Sequence, residues 1–204
     1  MLIKKKGKIF SPYIITEFLS HIKLKDELIN LIEETDKSKP LTIPVNTVSK
    51  CDFDWSKDTD RPYFKKLIKD LSKDLKKLFI HVGFVALEIK YLWFQRYITN
   101  DIHDWHVHGD CQWTGVYYLE LPKDDSLKTQ VIQPYDQRSK IDMDVKEGDI
   151  ILFPSHCLHR APRNNTTKRK IIISFNIDAL ILDGQYPEDY KTNENKIIWL
   201  RCKD

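Results

Sequence analysis

The 204-residue sequence predicts an α+β protein in which N-terminal helices pack on one face of a largely antiparallel, double-sheet roll. Three observations predict it. Apolar residues recur at helical spacing as far as Gly83, and beyond Gly83 the period changes to two. The later apolar segments are short and are separated by turns rich in Pro, Asp, Asn and Gly. Helices first and strands afterwards build helices against a sheet rather than alternating strand and helix layers.

The elements follow in order. From Pro12 to about Glu34, Ile15, Phe18, Leu19 and Ile22 fall at i, i+3, i+4 and i+7 and continue through Leu28 and Ile32, which predicts an amphipathic helix, with a break admitted near Lys23. A polar stretch containing Pro40 and Pro44 follows. Phe64, Leu67, Ile68, Leu71, Leu75, Leu78 and Phe79 form the stripe of a second helix, opened by Asp60 and Pro62 and closed by Gly83. Leu87, Ile89, Tyr91 and Trp93 then alternate with Glu88 and Lys90, the pattern of a half-buried strand. Further strands are predicted at Thr114 to Leu121, Lys128 to Ile132, Asp149 to Phe153 and Lys170 to Asp178. The tail from Gly184 is polar until Ile197, Ile198, Trp199 and Leu200, which read as an added edge strand. The length suits one domain, with a helical part over 1–83, the roll over 84–180 and a tail over 181–204.

Composition removes several function classes. No apolar run approaches the roughly 20 residues of a membrane span, and Lys4, Lys5 and Lys6 lead into no apolar signal core, so the expected location is the cytoplasm. Cys51, Cys111, Cys157 and Cys202 lie far apart with no CxxC pair, which suggests neither a disulfide framework nor a zinc ribbon. The formal charge of +3 is spread along the chain, so a nucleic-acid partner is not expected.

The densest chemical signal is His103-Asp104-Trp105-His106-Val107-His108-Gly109-Asp110, just before the strand from Thr114. Side chains two apart on extended backbone share a side, so His106 and His108 can grip one metal ion, whereas His103 and His106 are expected to point opposite ways. A second apolar strand, Asp149 to Phe153, stops at Pro154 and delivers His159 to a rim. Three protein ligands with open positions opposite suit non-heme iron(II), because substrate and oxygen need those vacancies. On the strand that starts Lys168-Arg169-Lys170, Ile171, Ile173 and Phe175 facing the helices would turn Lys170, Ile172, Ser174 and Asn176 inward. A buried cation there requires an anion, and a cosubstrate carboxylate is the natural one.

The ordered set Tyr97, His106-x-His108, Thr114-Gly-Val-Tyr-Tyr-Leu119, Gly148-x-Ile-x-Leu-Phe-Pro-Ser155, His159 and a base ahead of Ser174-Phe-Asn176 resembles the 2-oxoglutarate and iron(II)-dependent oxygenases, in their prolyl-hydroxylase-like branch. The resemblance spans about Trp93 to Ile177. It implies a double-stranded β-helix (jelly-roll) core, iron(II), 2-oxoglutarate as cosubstrate, O2, and oxidation, normally hydroxylation, of a small-molecule or peptide substrate with release of succinate and CO2. Carried over by position, the metal ligands fall on His106, His108 and His159, and the cosubstrate base on Lys170 or Arg169, with strand parity favouring Lys170. Tyr97 and Tyr118 resemble the family's tyrosines near the cosubstrate carboxylate, and Ser174 lies on the same side as Lys170. One departure stands out: the family usually has a carboxylate two residues after the first histidine, where this chain has His108. Either the site is a three-histidine one, or Asp110 reaches in through Gly109.

Other assignments remain open beside this one. A cupin-like three-histidine metal enzyme, either a non-heme iron dioxygenase or a zinc enzyme without 2-oxoglutarate, would use the same ligands, and an inactive binding module would use none of them. Cys111 and Cys157 neighbour the histidines, but their spacing does not favour a mixed zinc site. His21, His81 and His156 read as structural, and His103 reads either as a support behind a ligand or as a surface residue, with the surface favoured. Trp93, Trp105, Trp113, Tyr117 and Tyr118 read as core. The stretches Asp101 to Trp113 and Lys123 to Glu147 are expected to frame the entrance, with Trp105 and Arg138 upon it.

Overall fold

The structure is a computed structural model that describes residues 13–38, 48–81, 84, 86–124 and 127–180, together with the backbone of 198–201. The expectations placed on Lys4 to Lys6, Pro40, Pro44, Gly83 and Cys202 lie outside the described residues.

Among the described residues, two helices and two antiparallel sheets make the fold. Strand β1 (Ile14–Glu17) and helix α1 (His21–Ser38) are followed by β2 (Lys50–Cys51), a short 3-10 turn at Phe53–Trp55, and helix α2 (Pro62–His81). The remaining strands are β3 (Ala86–Tyr97), β4 (His103–His106), β5 (Trp113–Glu120), β6 (Gln130–Ile132), β7 (Lys140–Asp142), β8 (Asp149–Pro154), β9 (His159–Ala161), β10 (Lys170–Leu180) and β11 (Ile198–Arg201). The larger sheet runs β1-β8-β5-β10-β3-β11, with β2 also on β3, and the smaller runs β4-β9-β6-β7. The tail residues Ile198 to Arg201 add an edge strand to β3, as the apolar run at Ile197 suggested.

The first helix begins later than its apolar spacing predicts. Ile14 to Glu17 pair with Leu152 to Asp149 as the sheet's edge strand, and α1 starts at His21 and runs unbroken past Lys23. Three β-branched residues in succession, Ile14, Ile15 and Thr16, lose side-chain freedom in a helix and suit a strand, and the free edge of β8 supplies backbone partners. The helix therefore buries Leu24, Leu28 and Ile32, while Leu19 and Ile22 face solvent at 72% and 94% exposure. Helix α2 follows its stripe: Pro62 opens it, and Phe64, Leu67, Leu71, Leu75 and Phe79 are buried.

Two cores flank the larger sheet. One lies between the helices and that sheet, and includes Leu28, Leu67, Leu71, Phe94, Ile173 and Phe175. The other fills the roll between the sheets, with Tyr97, Val116, Tyr118, Val131, Phe153 and Ile172. Arg61, fully buried at the head of α2, ties the layers together: its guanidinium donates to Asp52 at 2.6 Å and to the Leu92 carbonyl at 2.6 Å. Asp52 also accepts from the Phe94 amide, so the buried pair has the hydrogen bonds that offset its desolvation.

One irregularity decides which side chains of β3 face the roll. The pairing with β10 runs Asn176 with Tyr91 and then Ile177 with Ile89, leaving Lys90 unpaired in a bulge. A bulge shifts the alternation by one residue. Leu87 and Ile89 before it and Leu92 and Phe94 after it all join the helix-side core, while Trp93, Gln95 and Tyr97 turn inward. Simple alternation had placed Leu87, Ile89, Tyr91 and Trp93 on one side.

Gly115 shows how tightly the helix-side core is filled. It pairs with Phe175, and a β-carbon there would lie 2.1 Å from a carbon of the Phe175 ring, far inside contact distance. Gly115→Ala is expected to destabilise the fold by about 1–3 kcal/mol, read as a lower urea midpoint at unchanged slope; an unchanged midpoint would contradict this packing.

Candidate metal centre and its cavity

The larger sheet and the smaller sheet close on an open cavity lined by residues of both, among them Gln95, Ile172 and Ser174 on one and His106 and His159 on the other. Strand β4 carries His106 to its mouth, and β9 begins there with His159, the two being Cα partners across the β4–β9 ladder. His108 lies past the end of β4, where its amide donates to the Ser155 carbonyl at 3.0 Å. One ligand nitrogen from each of His106, His108 and His159 comes within 4.8 Å of the others.

The hydrogen bonds prepare all three rings alike. Nδ1 donates to the Asp104 carbonyl in His106 (2.6 Å), to Asn176 Oδ1 in His108 (2.7 Å) and to the Cys157 carbonyl in His159 (2.9 Å). An Nδ1 that donates leaves Nε2 with its lone pair, so each ring offers that atom to an ion. Burial keeps the rings neutral: His106 titrates below its usual range, His108 is pushed down to about 4, and His159 well below its ordinary value. Three neutral imidazoles suit a divalent transition-metal ion, and ligands on one side leave positions open on the other.

Asp110 does not join them. Its backbone sits at φ 56°, and its exposed carboxylate accepts from Lys90 Nζ at 3.0 Å and Tyr91 Oη at 2.8 Å. Those donors hold the carboxyl below the usual carboxylate range. Among the described residues the converging group is made of the three histidines, with Asp110 outside it. The cysteines also stay out of the converging group among the described residues, with Cys157 buried in the roll core.

His103 departs from expectation. Its ring stacks on that of His106 at 3.8 Å and lines the cavity instead of facing solvent. A register shift in the β4–β9 ladder between His103 and His106 brings residues three apart to the same side.

The two basic candidates separate by strand parity. Lys170 is 1% exposed, donates to the Leu127 carbonyl at 3.0 Å, and lies 4.1 Å above the Tyr97 ring centroid. Burial lowers its pKa from 10.5 to about 7. The Tyr97 hydroxyl beside it is buried without a hydrogen-bond partner. Arg169 faces the other way, bonding Glu120 at 2.6 Å and Glu33 at 2.8 Å, so it ties the sheet to α1 and its charge is answered there. Tyr118 donates its hydroxyl to Thr129 at 2.6 Å, and Ser174 donates to Gln95 at 3.3 Å at the cavity wall.

Of the predicted entrance, the stretch from Asp101 contributes His103, His106 and His108 to the lining, and the Lys123 to Glu147 connection contributes Thr129. Trp105 stacks under the Arg160 guanidinium at 4.5 Å. Arg138 does not line the cavity; it lies exposed in a turn where its amide bonds Asp136. Trp93 lines the cavity rather than a closed core, and its ring lies 5.6 Å from that of His108. Gln95 escaped the sequence reading because the Lys90 bulge reverses its side. Asn176 had the parity to be found, as it shares a face with Lys170.

Residues 91–176 match a family model described as "Putative 2OG-Fe(II) oxygenase". No curated protein matches the sequence. Solved structures share the fold at low identity. A viral collagen prolyl hydroxylase from Paramecium bursaria Chlorella virus-1, in complex with 2OG, is 18% identical with a TM-score of 0.59, over 84% of this chain and 97% of that one. A prolyl hydroxylase from Trichoplax adhaerens, in complex with a hypoxia-inducible-factor peptide, is 14% identical with a TM-score of 0.61, over 82% and 83%. HygX from Streptomyces hygroscopicus, with nickel and 2-oxoglutarate bound, is 13% identical with a TM-score of 0.61, over 90% and 88%. The roll is thus the double-stranded β-helix of these oxygenases, with two helices on its outer face. No helix among the described residues is long and apolar enough to cross a membrane.

Proposed function

We propose that this chain, a 2OG-Fe(II) oxygenase by its family match over residues 91–176 and by its fold, holds iron(II) on His106, His108 and His159 and hydroxylates a small-molecule or peptide substrate. The observation that carries the proposal is one cavity with three convergent neutral imidazoles and, packed on the Tyr97 ring that lines it, a buried amine with no carboxylate recorded beside it. Iron(II) with 2-oxoglutarate and oxygen supplies the oxidising power, releasing succinate and CO2.

The protein's own residues bind and orient. The Nδ1 bonds to Asp104, Asn176 and Cys157 lock the ligand rings, so binding an ion needs no change of tautomer. Lys170, protonated, pairs with the distal carboxylate of 2-oxoglutarate in a charge-assisted bond, and the unpartnered Tyr97 hydroxyl donates to the same group. Ile172, Val116 and Trp93 supply apolar wall that keeps water from competing for these bonds. Arg169 has no part in this, being held by Glu120 and Glu33.

Anaerobic titration of the iron(II)-loaded protein with 2-oxoglutarate tests the proposal. A visible charge-transfer band should grow in, and admission of oxygen should release succinate. An iron-loaded protein that gives neither band nor succinate excludes it. The all-imidazole ligand set favours a second assignment, a three-histidine metal enzyme that takes no 2-oxoglutarate; such a protein would bind the metal and show no band.

A further inference from the structure

Four histidines line the cavity, and three of them converge as the proposed metal ligands. The fourth, His103, is held by a chain of hydrogen bonds that begins on β10. Ser174 Oγ donates to Gln95 Oε1 at 3.3 Å, which turns the Gln95 amide nitrogen toward His103 Nδ1 at 3.1 Å. An amide nitrogen only donates, so Nδ1 accepts and the proton of the neutral ring must sit on Nε2. This is the opposite tautomer from the three ligands, whose Nδ1 atoms donate to oxygen. His103 therefore shows the cavity an N–H rather than a lone pair, and no protein acceptor is recorded for it among the described residues.

The ladder places this donor along the cavity. Lys170 pairs with Tyr97, Ile172 with Gln95, and Asn176, which holds His108, lies four residues beyond Ile172. At about 3.3 Å per residue, Gln95 and its partner His103 stand roughly 7 Å from the level of Lys170, toward the metal ligands. The stack on His106 at 3.8 Å fixes the plane of the ring.

We propose that His103 is a positioning residue for the cosubstrate: a neutral N–H donor, oriented by Gln95 and Ser174, to an oxygen of the 2-oxo acid lying between Lys170 and the metal. It rests on the oxygenase assignment above. Lys170 recognises the distal carboxylate of such an acid, and His103 recognises an oxygen nearer the ion, so together they select a 2-oxo diacid over a monoacid.

Two measurements test it. In the metal-free protein, long-range 1H–15N spectra should show His103 protonated on Nε2, and protonation on Nδ1 overturns the proposal. In the iron(II)-loaded protein, anaerobic titration should give about ten-fold or weaker 2-oxoglutarate affinity for His103→Phe, which keeps the ring on His106 but deletes the N–H. His103→Gln, which keeps a donor, should recover most of that loss. Iron(II) affinity without 2-oxoglutarate should stay within about two-fold in both variants. Unchanged 2-oxoglutarate affinity in His103→Phe overturns the proposal, as does a parallel loss of iron, which would make His103 a prop for His106. Wild-type protein that binds iron but no 2-oxoglutarate refutes the oxygenase assignment itself, and His103 then has no such ligand to position.

Discussion

His159→Ala is expected to abolish usable iron(II) binding, lowering affinity by well over 100-fold, more than the loss of a residue that merely supports a ligand. His159 is the most buried of the three convergent histidines and the only one supplied by β9, so neither neighbour can swing into its place. An anaerobic competition against a chromogenic chelator reads the affinity directly, and a variant that holds iron(II) as the wild type does would break the proposed triad. The pH dependence has a definite sign. Protons compete with a metal only below the ligand's own pKa, and burial lowers all three, His108 to about 4. Iron(II) affinity should therefore persist to lower pH than at ordinary imidazoles with pKa near 6.5. The same displacement makes the metal-free fold acid-sensitive. The unfolded chain takes up protons near 6.5 and the folded rings do not, so stability is full above that value and falls as pH drops toward 4.

Lys170→Met carries the second large effect. It should weaken 2-oxoglutarate binding by 100-fold or more, the cost of removing one partner from a desolvated charge-assisted bond. Metal affinity should stay unchanged, since Lys170 lies outside the converging group. Wild-type affinity should be flat below about pH 7 and fall about ten-fold per unit above it, because the free protein must first protonate the amine that the cosubstrate then stabilises. Calorimetry in buffers of different ionisation heat should show proton uptake on binding above pH 7, and none in Lys170→Met. The variant should also be more stable without ligand. A pKa lowered from 10.5 to about 7 corresponds to roughly 5 kcal/mol of disfavoured charge in the fold at acidic pH, a deficit that shrinks as pH rises from 7 to 10.5. Methionine removes it while filling similar volume, so thermal stability near neutral pH should rise as binding is lost. A variant that keeps 2-oxoglutarate affinity would rule out Lys170 as the anion partner.

Part of this protein was written in local pattern. The change of apolar period near Gly83, the stripe from Phe64 to Phe79 and the alternation of Lys170, Ile172, Ser174 and Asn176 determined element types, their order and the inward face of β10. The spacing of His106 and His108 marked both as able to share an ion, and the apolar strand ahead of His159 marked the third. Such features are legible because periodicity depends only on the residue's own backbone geometry. Tertiary pairing decided the rest. Ile14 to Glu17 became a strand because β8 offered an edge, although the local spacing there was helical. Bulges at Lys90 and between His103 and His106 turned Gln95 and His103 into the cavity, because one extra residue on one strand reverses every side chain beyond it. The acceptor beside each Nδ1, and with it the nitrogen each histidine offers, likewise comes from residues that meet only when the sheets close.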